Sequence, residues 1–391
     1  MPSAHLSPLL APVPLGHLPP DLIPYAVAKL RAENNLSQVE IAQQLGLSQG
    51  YVSKLLTELT DQKIIARVTV VAASFRESPR WQQMLDLFEN GAEARAALQA
   101  LSPYRSRFRL EIARPDIHET DGFARAAAPL VHQMLLGVTR LGISCGTTIA
   151  AINRELSPLL PTLKNRLHVV PIVGEPTHLS NIDQSAENSA TNMAEALRAA
   201  LGTSSAAEAV LRGVAAYIPR KRRGEIMEFF HTVPGYRVIF GCDQKHAEPP
   251  EIDRLDCVVT GAGIVSSANP KLRGTLIKER LAQENLQSDE QKLSPATLER
   301  LVYGDLAGIL IPRPKLDRSG SNLVRALNEG LTGLRRSHLE RICKLADGAS
   351  SPGVILIAYG QQKIELIREI IRQGLVSTLV TTPDCARDLI A

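Results

Sequence analysis

The chain has 391 residues, 44% of them hydrophobic and 21% charged, a composition that excludes wholesale disorder, collagen-like repeats and a disulfide-stapled miniprotein. At roughly 100 to 200 residues per domain the length implies two or three domains. Lys and Arg number 44 against 40 for Asp and Glu, and the net charge of +4 is too small to argue for nucleic acid without a motif.

The five cysteines are scattered and form no C-x-x-C pair, which argues against a disulfide framework or a zinc site and fits a reducing cytoplasm. No metal or other cofactor is expected. No apolar run reaches the ~18 residues of a membrane span, so no membrane partner is expected, and Met1 to Pro24 lacks the basic start and apolar stretch of a signal peptide. Seven prolines in that stretch preclude a helix or a sheet ladder. Residues 1–20 therefore read as a flexible arm.

Residues 21–71 read as a small compact domain. A helix is predicted over Ile23 to Ala32. Ser37-Gln38-Val39-Glu40 has the form of a capping box, which opens a second helix carrying Ile41, Ala42 and Leu45 on one face. Gly46 ends it, because a tight turn there requires a left-handed residue. Ser48 caps a third helix with a stripe of Val52, Leu55, Leu56 and Leu59. This is a helix-turn-helix, a pattern shared with some helical bundles, and the segment ends in a β-branched run from Ile64 to Val70.

In the helix-turn-helix reading the third helix lies in a major groove, with Ser48, Gln49, Gly50, Tyr51, Ser53 and Lys54 toward the DNA. Gln49 can bond adenine in bidentate fashion, and Lys54 suits a phosphate or a guanine. Acidic and basic residues nearly cancel in this segment, so one copy should bind weakly and a dimer or tetramer is expected.

Residues 72–114 read as a helical linker, with Trp81, Met84, Leu85 and Phe88 and then Ala94, Ala97, Leu98 and Leu101 at helical spacing. Residues 115–391 alternate β-branched runs with helical patterns, the signature of an α/β domain with a mainly parallel sheet. Strands are expected at Thr139–Ser144, His168–Val173, Arg237–Phe240, Asp256–Thr260, Gly308–Ile311, Val354–Ala358 and Ser377–Thr381. Helices are expected at Ala186–Leu201 and Lys363–Gln373. The polar stretch Lys278 to Leu293 reads as a surface insertion.

Leu141-Gly142-Ile143-Ser144-Cys145-Gly146-Thr147-Thr148 runs from a strand through glycine into a helix. Helix N-terminal amides and two hydroxyls at such a turn can cradle an anion. Two more predicted strands break into glycine, at Gly261-Ala262-Gly263 and at Tyr359-Gly360 ahead of Lys363, and ligands of open α/β sheets collect beyond the carboxyl ends of strands.

These motifs in this order, Leu36 to Val70 followed by GISCGTT, DCVVTGAG, YGDLAGILI and GVILIAYGQQK, resemble the SorC family of sugar-responsive bacterial transcriptional regulators. The family is related to the central glycolytic gene regulator and the deoxyribonucleoside regulator. The resemblance implies a winged helix-turn-helix joined to a doubly wound, Rossmann-like effector domain of the sugar-phosphate isomerase type. It also implies control of carbohydrate catabolism genes by a phosphorylated sugar or polyol, and dimers or tetramers on palindromic operator DNA. The matching effector-site residues are Gly146, Thr147, Thr148, Gly261, Gly263 and Lys363. The chain departs from the family at Cys145, where a Trp is usual, and at Tyr359-Gly360, which replaces a glycine pair.

The alternative is an isomerase-like enzyme with an accessory DNA-binding module. That chemistry needs a carboxylate base and a proton-shuttling partner. Asp256, Asp305 and His178 are candidates, but they form no paired constellation in the sequence, and the reading is that the chain is not an enzyme. The basic run Arg220-Lys221-Arg222-Arg223 is a further candidate contact to phosphate or DNA.

Overall fold

The structure, a computed structural model, describes residues 20–32, 36–62, 64, 91–104, 108–113, 115, 119–163, 167–177, 189–203, 210–241, 249–286, 292–346 and 351–390. The chain divides into two compact units, residues 1–92 and 93–391.

In the first unit, three helices follow the expected punctuation: α1 (Ile23–Ala32), α2 (Gln38–Leu45) and α3 (Gln49–Asp61). The Ser37 hydroxyl accepts the Glu40 amide at 3.3 Å while the Glu40 carboxylate accepts the Ser37 amide at 2.7 Å, which completes the capping box. Gly46 takes φ 65° and ψ 28° and ends α2; the Ser48 hydroxyl accepts the Tyr51 amide at 3.2 Å and starts α3. With both ends fixed, the apolar stripes converge. Val27 and Leu30, Ile41 and Leu45, and Val52, Leu56 and Leu59 form one small core. The β-branched run beyond Ile64, to Val70, and the Trp81 to Phe88 helix lie outside the described residues.

Among the described residues the second unit has nine strands: β1 (Arg109–Ile112), β2 (Arg140–Ile143), β3 (His168–Pro171), β4 (Cys257–Thr260), β5 (Ala262–Ile264), β6 (Val302–Leu306), β7 (Ile309–Pro312), β8 (Gly353–Ile357) and β9 (Thr378–Thr381). Six form a sheet in the order β1-β9-β8-β4-β2-β3, parallel throughout. Every residue of β4, β8 and β9 is buried, as expected for strands covered on both faces. The chain leaves β2 toward β3 on one side and returns to β4 on the other. The switch in strand order, where such sheets gather ligands, therefore lies between β2 and β4.

Several expectations give way. Arg237–Phe240 is not a strand but the end of a helix, Pro234–Phe240. Pro234 sits in its first turn, and Tyr236 and Ile239, one helical turn apart, are its buried side. Gly308–Ile311 does not join the parallel sheet; β7 belongs to a separate antiparallel sheet in the order β5-β6-β7. The stretch from Lys278 is no surface insertion. It continues a helix, Thr275–Leu286, that buries Ile277, Arg280, Leu281 and Glu284. Two of those four are charged, so the helix looks solvated when read for hydropathy alone.

The expected linker is also partly absorbed. Helix Gly91–Leu101 sends Ala94 and Leu98 into the large core, and β1 forms the sheet edge beside β9. The large unit thus begins at Glu93 rather than at residue 115.

Candidate functional site

In the helix-turn-helix unit, Ser48, Gln49, Gly50, Tyr51 and Lys54 are exposed and Ser53 is half-buried, because the opposite face of α3 supplies the core. The Lys54 ammonium lies 3.9 Å from Glu58, a surface pair worth at most about 1 kcal/mol, so it is easily exchanged for a phosphate. Lys29 is buried within α1 and does not add to the exposed positive charge of this unit.

The large unit carries a cavity of about 360 Å³ beyond the ends of β2 and β4. Gly146, Thr147, Thr148, Gly261, Gly263 and Lys363 all line it. Gly146 adopts φ 129° and ψ 157° and precedes the helix Thr147–Leu156 without any capping side chain. That leaves first-turn amides available to an anion. A Cβ on Gly146 would meet nothing within 4 Å, so glycine is needed there for its backbone angle and not for space. Gly360 repeats the device at the end of β8 with φ 98°. Lys363 follows it, 5.9 Å from the centre of the Tyr359 ring, and burial pulls its pKa down while Asp305 and Cys385 pull it up. Tyr359 is itself fixed by a hydroxyl contact to Thr120 at 2.9 Å and by the Phe123 ring at 4.3 Å.

The two glycines of the β4–β5 segment differ in purpose. Gly261 tolerates a Cβ, whose nearest neighbour would be Ile149 Cγ1 at 3.6 Å. Gly263 lies in β5, and a Cβ there would overlap the Asp305 carboxylate and stand 3.0 Å from the Gly274 Cα. Gly263→Ala should therefore destabilise the fold by about 1 to 3 kcal/mol, while Gly261→Ala stays near neutral. Urea unfolding of both variants checks this, and equal midpoints would refute the distinction.

The structure adds residues that the sequence reading did not assign to the site. Lys271, Arg273 and Lys278 line the cavity with Lys363, against one carboxyl group, Asp305. The surroundings favour an anion. Asp305 is buried; its Oδ2 accepts the Gly308 amide at 2.8 Å, while Oδ1 has no hydrogen-bond partner among the described residues. Burial lifts its pKa to about 6 against the opposing pull of Arg280, the Gly308 amide and Lys363. Its neighbourhood is set by the two-residue turn between β6 and β7, where Ala307 and Gly308 have φ 51° and 86°, the pattern of a type I′ hairpin. The buried Arg280 donates to the Gly308 carbonyl at 2.7 Å and closes the turn from behind.

The other candidates resolve differently. Asp256 precedes β4 and accepts from the Thr139 and Arg140 amides at 3.0 Å each, a strand-joining role. His168 lies 3.4 Å from Glu251, which His168 and Arg140 hold below the usual carboxylate range. His178 lies outside the described residues. In the basic run, Arg220 pairs with Glu284 at 2.9 Å, Arg222 with Glu225 at 3.3 Å and Arg223 with Glu329 at 2.6 Å. Those charges are thus engaged within the chain. Among the described residues no group of three or more His, Cys, Asp or Glu could hold a metal ion, and no helix is long and apolar enough to cross a membrane.

Fold and site together define a chain that couples a helix-turn-helix unit to a doubly wound α/β unit with an anion-favouring cavity at its switch point. Residues 27–64 match the helix-turn-helix family model HTH_3. No curated protein matches the chain by sequence. Solved structures do match. A domain of a possible sugar-binding transcriptional regulator from Arthrobacter aurescens is similar at 17% identity and a TM-score of 0.51, over 78% of this chain and 98% of that one. A transcriptional regulator from Streptococcus pneumoniae is similar at 15% identity and a TM-score of 0.51, over 79% and 97%. The full-length sorbitol operon regulator SorC from Klebsiella pneumoniae aligns at 19% identity and a TM-score of 0.49, over 95% and 99%. At these identities the likeness is one of fold.

Proposed function

We propose that this chain is a DNA-binding transcriptional regulator of the SorC type, whose hold on operator DNA is controlled by a phosphorylated sugar or polyol in the large unit. One observation carries the reading. In a single chain, an exposed recognition-helix face is combined with a cavity where uncapped helix amides, two threonine hydroxyls and four cationic side chains converge. The phosphate is assigned to Gly146, Thr147, Thr148 and Lys363. The fold likeness to a possible sugar-binding regulator supports the same reading.

Binding alone suffices for a sensor, provided the ligand prefers one of two arrangements of the protein. We assign a dimer or tetramer as the working form, with half-sites spaced by a helical turn of ~10 base pairs or a multiple of it. An isomerase would need a second proton-transferring group opposite Asp305, and the sensor reading needs none.

The reading is tested by heat-melting the protein in the presence of phosphorylated sugars and polyols, followed by titration of operator-bound protein with any compound that raises the melting temperature. Release of DNA without chemical change of the compound is the expected result; turnover would overturn the sensor assignment. At the other end of the chain, Gln49→Ala should weaken operator binding by about 1 to 3 kcal/mol and relax preference at one base pair per half-site. Lys54→Ala should weaken all sequences alike. Fluorescence anisotropy with operator and scrambled duplexes separates the two, and an unchanged preference in the Gln49 variant would remove that residue from base readout.

A further inference from the structure

The large unit holds a second cavity, of about 730 Å³, that shares no lining residue with the first. The β6–β7 hairpin lies between the two groups of lining residues: Asp305 and Ala307 border the first cavity, and Ile309 and Leu310 border the second. The floor is apolar, with Leu310, Val324, Leu331 and Leu334 each no more than 4% exposed. Six cationic side chains also line it, against one carboxylate, Glu329, which Arg223 engages at 2.6 Å.

Two further guanidinium groups are occupied. Arg336 pairs with Glu340 at 2.7 Å, and Arg313 stacks over the Tyr303 ring at 4.5 Å. Lys315, Arg325 and Arg335 have no carboxylate partner among the described residues. Arg335 is the telling one. It is half-buried, burial pulls its pKa down against the opposing pull of Tyr236 and Glu329, and among the described residues its side chain donates to the Asn328 carbonyl at 3.0 Å and forms no ion pair. A desolvated cation beside an apolar floor is unfavourable until an anion arrives.

We propose that this cavity binds a small organic anion with an apolar body, of the aryl or short acyl carboxylate class. The apolar body lies on Leu331 and Leu334, and the carboxylate meets Arg335, with Arg325 and Lys315 at the mouth. The size agrees: ligand pockets span about 300 to 1,000 Å³. The uneven balance of charge selects against a neutral or cationic ligand. This inference goes beyond the sugar-phosphate reading and does not depend on it.

The test uses the full chain and the fluorescent aryl sulfonate 1-anilinonaphthalene-8-sulfonate as a reporter, with octanoate as competitor. Saturable binding displaced by octanoate is expected, with 1-octanol and octylammonium displacing at least about tenfold less well, the worth of one charge-assisted hydrogen bond. Arg335→Met keeps the apolar stem and removes the charge, and should weaken octanoate about tenfold or more. Arg325→Glu changes an exposed residue, so the fold is not at risk, and it should weaken octanoate in the same direction. Equal displacement by octanol, or octanoate binding unchanged in both variants, would overturn the proposal. So would light scattering in which the variants change the oligomeric state while octanoate fails to bind, because the cavity would then be a contact between copies of the chain.

Discussion

Replacing Thr147 and Thr148 together by valine should move the midpoint of operator release to sugar-phosphate concentrations about 10²-fold higher or more, while operator affinity without the ligand stays as in the parent. The magnitude follows from the bonds removed. A hydrogen bond to a charged group contributes about 1.5 to 3 kcal/mol, and two hydroxyls sit at the start of the helix Thr147–Leu156 beside the uncapped amides. Valine is isosteric with threonine and also β-branched, so the helix start should keep its shape. The amides and Lys363 remain, which is why the loss is large but finite. The measurement is a titration of labelled operator complex with the compound found by the melting screen. Thr232→Val serves as control, since that hydroxyl donates to the Phe229 carbonyl at 2.7 Å and does not line the cavity. A double variant with an unchanged midpoint would place the phosphate elsewhere.

The second large effect concerns pH. Asp305 has its pKa raised from 3.8 to about 6, chiefly by burial. A carboxyl group with a raised folded-state pKa binds its proton more tightly in the folded chain. Stability is therefore gained as pH falls through about 6 toward the unfolded value, and the full penalty of the buried charge is present above pH 6. At about 1.4 kcal/mol per unit, the displacement corresponds to a penalty on the order of 3 kcal/mol at neutral pH. Of this, about 1 to 1.5 kcal/mol should be lost by the ligand-free parent between pH 5 and pH 7.5.

In Asp305→Asn that part of the slope should vanish, because an amide keeps an acceptor for the Gly308 amide and does not titrate. Urea unfolding at the two pH values gives the difference directly. Parallel slopes for parent and variant would mean that the Asp305 carboxyl is not held at a raised pKa.

How much of this was legible in the sequence depends on how local the determinants are. The helix-turn-helix is encoded within four residues at a time: Ser37 with Glu40, Gly46 in its left-handed turn, and Ser48 with Tyr51. Such signals do not need the rest of the chain. The glycine-ended strands are equally local, and so the residues around Gly146, Gly261 and Lys363 could be grouped before any coordinates, helped by a family resemblance that joined them into one ordered set.

What the sequence left open is what depends on pairing at long range. Arg109–Ile112 is a short segment with two charged residues, and only its register against Thr378–Thr381 makes it a strand. The helix Thr275–Leu286 reads as a polar surface because Arg280 and Glu284 are buried by contacts to Gly308 and Tyr217, partners that local periodicity cannot supply. Asp305 is the sharpest case. Its place in the cavity and its lifted pKa come from the turn at Gly308, from Arg280 and from burial by distant segments, none of which is written in the residues beside it.

The sequence alone thus determined the capped helices and the glycine turns that end the strands, since short-range hydrogen bonds and backbone angles fix both. Tertiary structure decided which charges are buried, which cations face the cavity and where the second cavity forms. Those depend on desolvation and on close packing between segments far apart in the chain.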